Sequence, residues 1–181
     1  MTLERCGWAN SAPEYVDYHD VEWGTPLHGD DSLFERLVLE AFQSGLSWLT
    51  ILRKRPAFRA AFAGFSIPAV AAFDASDEDR LLTDAGIVRN RAKIRAAITN
   101  ARAASALAEG LDALLWSFAS GPDRLRPATL SDIPATSPES AAMAKELKRR
   151  GFVFVGPTTA YALMQATGMV DDHVSTCFRA G

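Results

Sequence analysis

The chain has 181 residues, a formal net charge of −3, 48% hydrophobic residues and 23% charged residues. That length and composition fit one packed domain and exclude a disordered chain. The mild acidity leaves only a local basic face as a means of holding nucleic acid, and the absence of a leader-like or membrane-length apolar run points to the cytoplasm.

In chain order, Ser11-Ala12-Pro13-Glu14 has the form of a capping box with an early proline, and opens a helix over Glu14–Trp23 that Gly24 ends. Tyr15, Tyr18, His19 and Trp23 are more aromatic rings than a short polar helix needs for packing. After a loop at Thr25 to Asp30, Leu33, Phe34, Leu37, Val38 and Ala41 repeat at helical spacing. Glu40 lies one turn beyond Leu37, beside that apolar stripe, where a carboxylate is costly without a partner. Gly45 breaks the helix and Trp48 follows on the next one, running from Ser47 to Lys54. An acceptor-only carboxylate and a broad π-face beside one bend suit a flat, donor-rich or cationic ligand.

Pro56 is expected to start a short helix with Phe58 and Phe62, and Ser66-Ile67-Pro68 another, through Phe73. The acidic run Ser76-Asp77-Glu78-Asp79 starts a helix ending near Gly86, and one from Asn90-Arg91 continues to about Ala108. Between them, Gly86 provides a turn and Ile87 and Val88 an apolar anchor. The helix N-terminus beyond would face phosphates with its N–H groups, with Arg89, Arg91, Lys93 and Arg95 adding charge. A helix-hairpin-helix at about 77–108 would bind DNA in this way without reading bases. Ordinary surface arginines on a helix pair are the competing account. Gly121–Pro138 reads as a long connection, Ser137–Gly151 as a helix, Phe152–Val155 as too short for a sheet, and Gly156-Pro157 as the start of a last helix to Gly168. With no convincing strand, the expected class is all-α, with residues 1–181 in one domain.

Two cysteines and two of the three histidines form Cys6-x12-His19 near one end and His173-x3-Cys177 near the other. Two thiolates and two imidazoles make the composition of a closed structural zinc site, which would tie residues 1–24 to 169–181. Two buried thiols and two unrelated histidines account for the same residues. His28 has no evident partner.

Together, Arg5-Cys6-Gly7-Trp8, Tyr18-His19-Asp20, Glu22-Trp23-Gly24, Gly45-Leu46-Ser47-Trp48, Asp84-Ala85-Gly86-Ile87, Arg149-Arg150-Gly151-Phe152 and Asp172-His173 closely resemble the DNA-3-methyladenine glycosylase I family, in order and over nearly the whole chain. The resemblance implies an all-helical fold of the helix-hairpin-helix glycosylase superfamily and one structural zinc held by Cys6, His19, His173 and Cys177. It implies a base pocket with Glu40, Tyr18 and Trp48 as its acting residues, and Trp8 and Trp23 beside them. Leu46 is the residue expected to fill the gap in the duplex, with Gly86, Arg89, Asn90, Arg91 and Lys93 on the DNA backbone. The implied activity is release of 3-methyladenine from alkylated double-stranded DNA by a monomeric hydrolase. The family lacks the catalytic Asp that its relatives place after the hairpin, and here Thr99 and Asn100 lie downstream with no Asp nearby. Two features depart from the family: Phe42 where relatives are polar, and an end at Gly181 without the longer basic tail. Two other classes fit parts of the pattern. A non-catalytic DNA-binding module would lack a polar pocket, and a small-molecule hydrolase with a catalytic metal would need an open coordination position.

Overall fold

A computed structural model describes residues 3–121 and 124–180. Among them every regular element is helical. The helices are α1 (Pro13–Asp17), α2 (Asp30–Gln43), α3 (Trp48–Ala61), α4 (Ile67–Ala71), α5 (Ala75–Thr83), α6 (Arg91–Ser105), α7 (Leu111–Trp116), α8 (Pro138–Arg149) and α9 (Pro157–Ala166).

Helix α2 is the central one. Every residue from Leu33 to Phe42 is buried, and the helix packs against α3, α4, α6, α7 and α9. A helix enclosed on all sides needs apolar residues on all sides. Three charged residues on it are therefore conspicuous. Glu35 is met by Arg55 and Arg59, and Arg36 by Glu22. Glu40 alone of the three has no ion pair among the described residues.

The buried position of Phe42 corrects the expectation that it alters a pocket rim. Its ring packs against Phe58 at 4.8 Å and Phe62 at 5.9 Å, on the far side of α2 from the open cavity. Pro56 does not start a helix either. It lies within α3, on an exposed stretch, while Ile51 and Phe58 bury the opposite face. The packing of that face outweighs one lost backbone hydrogen bond. Helix α7 is an element that the sequence pattern did not reveal. Its Trp116 Nε1 donates to the Leu27 carbonyl at 2.9 Å. His28, expected to be alone, bonds Asp112 through Nδ1 at 2.9 Å and stacks on Trp116 at 4.4 Å.

The N-terminal arm is anchored to α9. The Gly24 N–H donates to the Gln165 carbonyl at 3.0 Å, and the Leu27 N–H to that of Thr167 at 3.1 Å. These contacts bring the beginning and end of the described chain to one side of α2. A second, smaller apolar cluster forms there, from Cys6, Tyr18, Trp23, Ala166, Val174 and Cys177.

Candidate active site

The helix begun at α1 changes pitch at Tyr18. Residues Tyr18–Glu22 form a π-turn, closed by the Trp23 N–H on the Tyr18 carbonyl at 2.8 Å. Such turns recur at functional sites because one extra residue re-aims the side chains around it. Here the neighbours Tyr18 and His19 are both buried and serve different places: Tyr18 lines a cavity, and His19 joins a cluster of sulfur and nitrogen atoms.

The cavity has a volume of about 490 Å³. Trp8, Tyr15, Tyr18, Trp23 and Trp48 give it aromatic walls. Trp8 meets Trp23 at 5.2 Å and 79°, and Tyr18 meets Trp48 at 5.6 Å. The first pair meets edge to face and the second is tilted at 48°, so the rings brace one another without stacking flat. Tyr15 is fixed by its hydroxyl, which accepts the Leu49 N–H at 2.9 Å. Glu40 and Gln43 reach the cavity from α2. Burial pushes the Glu40 carboxyl up to about 8, against a smaller opposing pull from the Arg36 guanidinium. Arg36 itself lies over the Tyr18 ring at 5.5 Å and is drawn away by Glu22. The result is a carboxyl group in an aromatic slot, short of positive charge.

Sequence reasoning found Trp8, Tyr18, Trp23, Glu40 and Trp48, and the structure brings all five together. It missed Ser11, Gln43, Ala162 and Gln165, as well as Leu130 and Ile133 from the long connection. Gln165 is held by Asp172, which accepts from its Nε2 at 2.8 Å and from the Tyr161 hydroxyl at 2.6 Å. Leu46 stands at the bend, outside the cavity and 38% exposed.

Cys6, His19, His173 and Cys177 are all buried, and their donor atoms lie within 4.8 Å of one another. Cys177 Sγ is 3.4 Å from His19 Nε2 and 3.5 Å from His173 Nδ1. The other ring nitrogens are both occupied: His19 Nδ1 by Asp20 at 2.8 Å, and His173 Nε2 by the Trp23 carbonyl at 3.1 Å. Arg5 in turn grips Asp20 at 2.9 and 2.7 Å. Outer partners of this kind fix which nitrogen faces a metal. The four residues fit a soft divalent cation in donor type, burial and orientation.

Gly24 makes room for this cluster. Its φ is +74°, and a Cβ there would lie 2.8 Å from His173 Nε2. Gly45 shares the positive φ, at +80°, but faces open space. Gly24→Ala is therefore expected to lose about 1–3 kcal/mol more than Gly45→Ala, read as a larger fall in Tm. Equal losses would mean that the His173 contact is immaterial.

The basic connection differs in part from expectation. Gly86 lies in the turn after α5, as expected, and is also a packing point: its Cα approaches Ala57 of α3, where a Cβ would sit 2.8 Å from the Ala57 side chain. Asn90 caps α6 through the Lys93 N–H at 3.1 Å. Arg91 and Arg95 are both turned to Glu78. Lys93 is not turned to solvent: its ammonium is directed inward, onto carbonyls at the end of α2. That leaves Arg89 exposed and, among the described residues, without an ion pair. Asn100 is buried and holds the Val153 backbone at 3.0 and 2.8 Å, away from the cavity. The more closely packed consecutive pair is α8 with α9. Its connection exposes Val153 and Phe154, and with Ser44, Lys145 and Lys148 lines a hollow beside the bend.

The methyladenine glycosylase family profile matches residues 8–180. The chain belongs to the methyladenine glycosylase family. Its sequence is 46% identical over 179 residues to DNA-3-methyladenine glycosylase 1 of Escherichia coli K12, covering 97% of this chain and 96% of that one. The fold matches a 3-methyladenine DNA glycosylase I from Staphylococcus aureus, studied for 3-methyladenine recognition, with a TM-score of 0.93 and 34% identity over 100% of this chain and 98% of that one. A Tyr-to-Phe variant of a family member, solved in complex with 3-methyladenine, matches with a TM-score of 0.92 and 35% identity, over 98% and 97% of the two chains. Family membership thus agrees with the resemblance carried by the sequence motifs.

Proposed function

We propose that this protein is a DNA-3-methyladenine glycosylase that removes the methylated base from alkylated DNA in base-excision repair. The observation that carries the reading is the buried carboxyl of Glu40 in a slot walled by Trp8, Tyr18, Trp23 and Trp48. A base methylated at N3 is positively charged while joined to deoxyribose. A flat cation is held by indole and phenol faces, by about 0.5–2 kcal/mol each. The carboxyl of Glu40 accepts from the exocyclic amino edge, a charge-assisted contact once the acid is ionised.

The chemistry asks little of an acid. The C1′–N bond breaks with its electron pair passing to the base, which leaves neutral. Water adds at C1′ and gives up its proton to solvent, leaving an abasic sugar. The protein must turn the base out of the stack, at a cost of a few kcal/mol, and hold it. Tyr18 and Trp48, in contact with one another, offer it a ring face to stack on, Trp8 and Trp23 close the slot, and Leu46 occupies the space left in the duplex.

We assign the Cys6, His19, His173 and Cys177 set to one structural zinc. When bound, it supplies a crosslink between the chain ends, and a four-ligand set leaves no position for a reacting water. The main apolar core, which spans α2 to α9, supports one domain for residues 1–181. No helix among the described residues is long and apolar enough to cross a membrane. A monomer acting in the cytoplasm is our working picture.

For the DNA backbone we retain Arg89 with the helix start at Asn90 and Arg91, and Gly86 as the packing point that seats them. We add the exposed lysines Lys145 and Lys148, which line the hollow beside the bend. Arg89→Ala should weaken binding to every duplex alike and lower the salt slope by about one phosphate contact. Arg91→Ala should do less, because Glu78 already neutralises its charge. Filter binding across a salt series reads both, and a change in lesion preference alone would contradict the phosphate role.

The deciding experiment is incubation with methylated duplex DNA and chromatographic detection of free 3-methyladenine. DNA binding without base release would leave only the non-catalytic reading.

A further inference from the structure

The bend between α2 and α3 is held from beneath by a lysine on α6. Lys93 is 8% exposed. Its Nζ donates to the Phe42 carbonyl at 2.9 Å and the Ser44 carbonyl at 2.6 Å. These carbonyls lie at the C-terminal end of α2, where the helix leaves them unsatisfied and where a cation meets the negative end of the dipole. Two of its three donors are thus committed.

The residues that follow are otherwise loosely supported. Gly45 takes φ +80° with open space around it, and Leu46 is exposed. A second tie comes from Gln43, whose Nε2 donates to the Leu46 carbonyl at 3.0 Å and whose carbonyl accepts the Leu46 N–H at 2.7 Å. Gln43 also lines the aromatic cavity. The bend is therefore tied to the cavity at its tip and to α6 at its root. The backbone of Lys93 is in turn held by Asn90, the residue that caps α6 at the basic connection.

We propose that Lys93 is a positioning residue for Leu46, fixing the bend so that the leucine enters the duplex when a base is turned into the cavity. The inference rests on the reading of Leu46 as the residue that fills the gap. It gives a charged group of the basic connection a task other than binding phosphate.

The test uses Lys93→Met, which keeps the stem and removes the donors, and Lys93→Arg, which keeps a cation. The readout is the ratio of affinities for a duplex carrying a tetrahydrofuran abasic analogue and for the intact duplex of the same sequence. Neither partial unfolding nor loss of a phosphate contact changes that ratio, because both weaken the two complexes alike. Lys93→Met should lower the ratio by about tenfold and leave the salt slope unchanged, with Lys93→Arg recovering part of the loss. Leu46→Ala should lower the ratio to a similar extent, and the double variant should fall no further. An unchanged ratio in Lys93→Met, with the ratio reduced in Leu46→Ala, overturns the role of Lys93 alone. An unchanged ratio in Leu46→Ala overturns the reading of the leucine beneath it. A salt slope lowered by about one in Lys93→Met would return the residue to the phosphate backbone.

Discussion

Cys177→Ser is expected to abolish metal retention and to remove about 4 kcal/mol or more of stability, lowering Tm by roughly 10 °C in a chain of this size. The effect should be large because of what the residue joins. Cys177 Sγ lies 3.4 Å from His19 Nε2 and 3.5 Å from His173 Nδ1, and Cys6 Sγ lies 3.7 Å from the same His173 nitrogen. A cation among these atoms links the π-turn that carries Tyr18 to the segment after α9. Without it, two buried thiols and two buried imidazoles face one another with only weak mutual hydrogen bonds. Metal binding in such a set contributes directly to folding, since the unfolded chain has no comparable site. Chelation of the wild type should therefore reproduce the variant, and the variant should be indifferent to chelator. Affinity for the base should fall as well, through the freedom gained by Tyr18 and Trp23, while the chemical step is less affected. Elemental analysis should give about one zinc per chain. A metal-free wild type with the same Tm as Cys177→Ser would remove zinc from the account.

The legibility of this fold in its sequence varies from element to element for physical reasons. Helix α2 was readable because a fully enclosed helix must be apolar nearly throughout, and Glu40 stood out against that background. The cavity aromatics were readable because four tryptophans in 181 residues draw attention to their spacing. The cysteines and histidines are legible by type, although 153 intervening residues separate His19 from His173. Leu130, Ile133 and Ala162 were not readable, since a small apolar residue lining a cavity looks the same as one in a core or loop. The place of Phe42 is a matter of geometry that residue type does not carry: the residue points from α2 into the stack with Phe58 and Phe62. The inward course of Lys93 is illegible for a related reason. A basic residue in a basic stretch suggests solvent and phosphate, whereas its long stem lets the charge reach a helix end in the interior. Gly86 is legible as a turn, but its second role, a close contact between α3 and the chain beyond α5, is not, because a partner distant in sequence supplies it.

Glu40→Gln is expected to weaken binding of free 3-methyladenine by roughly tenfold to a hundredfold, the worth of a charge-assisted hydrogen bond. Single-turnover cleavage of a saturating methylated duplex should stay within about threefold of wild type, because the leaving group carries its own activation. A parallel loss in cleavage, about tenfold per 1.4 kcal/mol, would instead make the carboxylate a stabiliser of the charge arriving on the sugar. The pH dependence separates the charge of Glu40 from its shape. Burial raises its carboxyl from the usual 4.5 to about 8 in the folded protein, while the unfolded chain keeps the usual value. Between those two pH values the folded state holds a proton that the unfolded state has lost. Stability must therefore fall as pH rises through that window, by a few kcal/mol in total. The glutamine side chain has nothing to titrate, so the variant should be flatter over the same range and more stable than wild type at its upper end. A cationic base in the slot reverses the burial cost, so wild-type binding of alkylated DNA should release a proton near pH 7, and the variant should not. Calorimetry in two buffers of different ionisation enthalpy measures that proton. Identical stability profiles and no proton release would place the Glu40 carboxyl outside the slot's chemistry, and the aromatic walls would then have to recognise the base unaided.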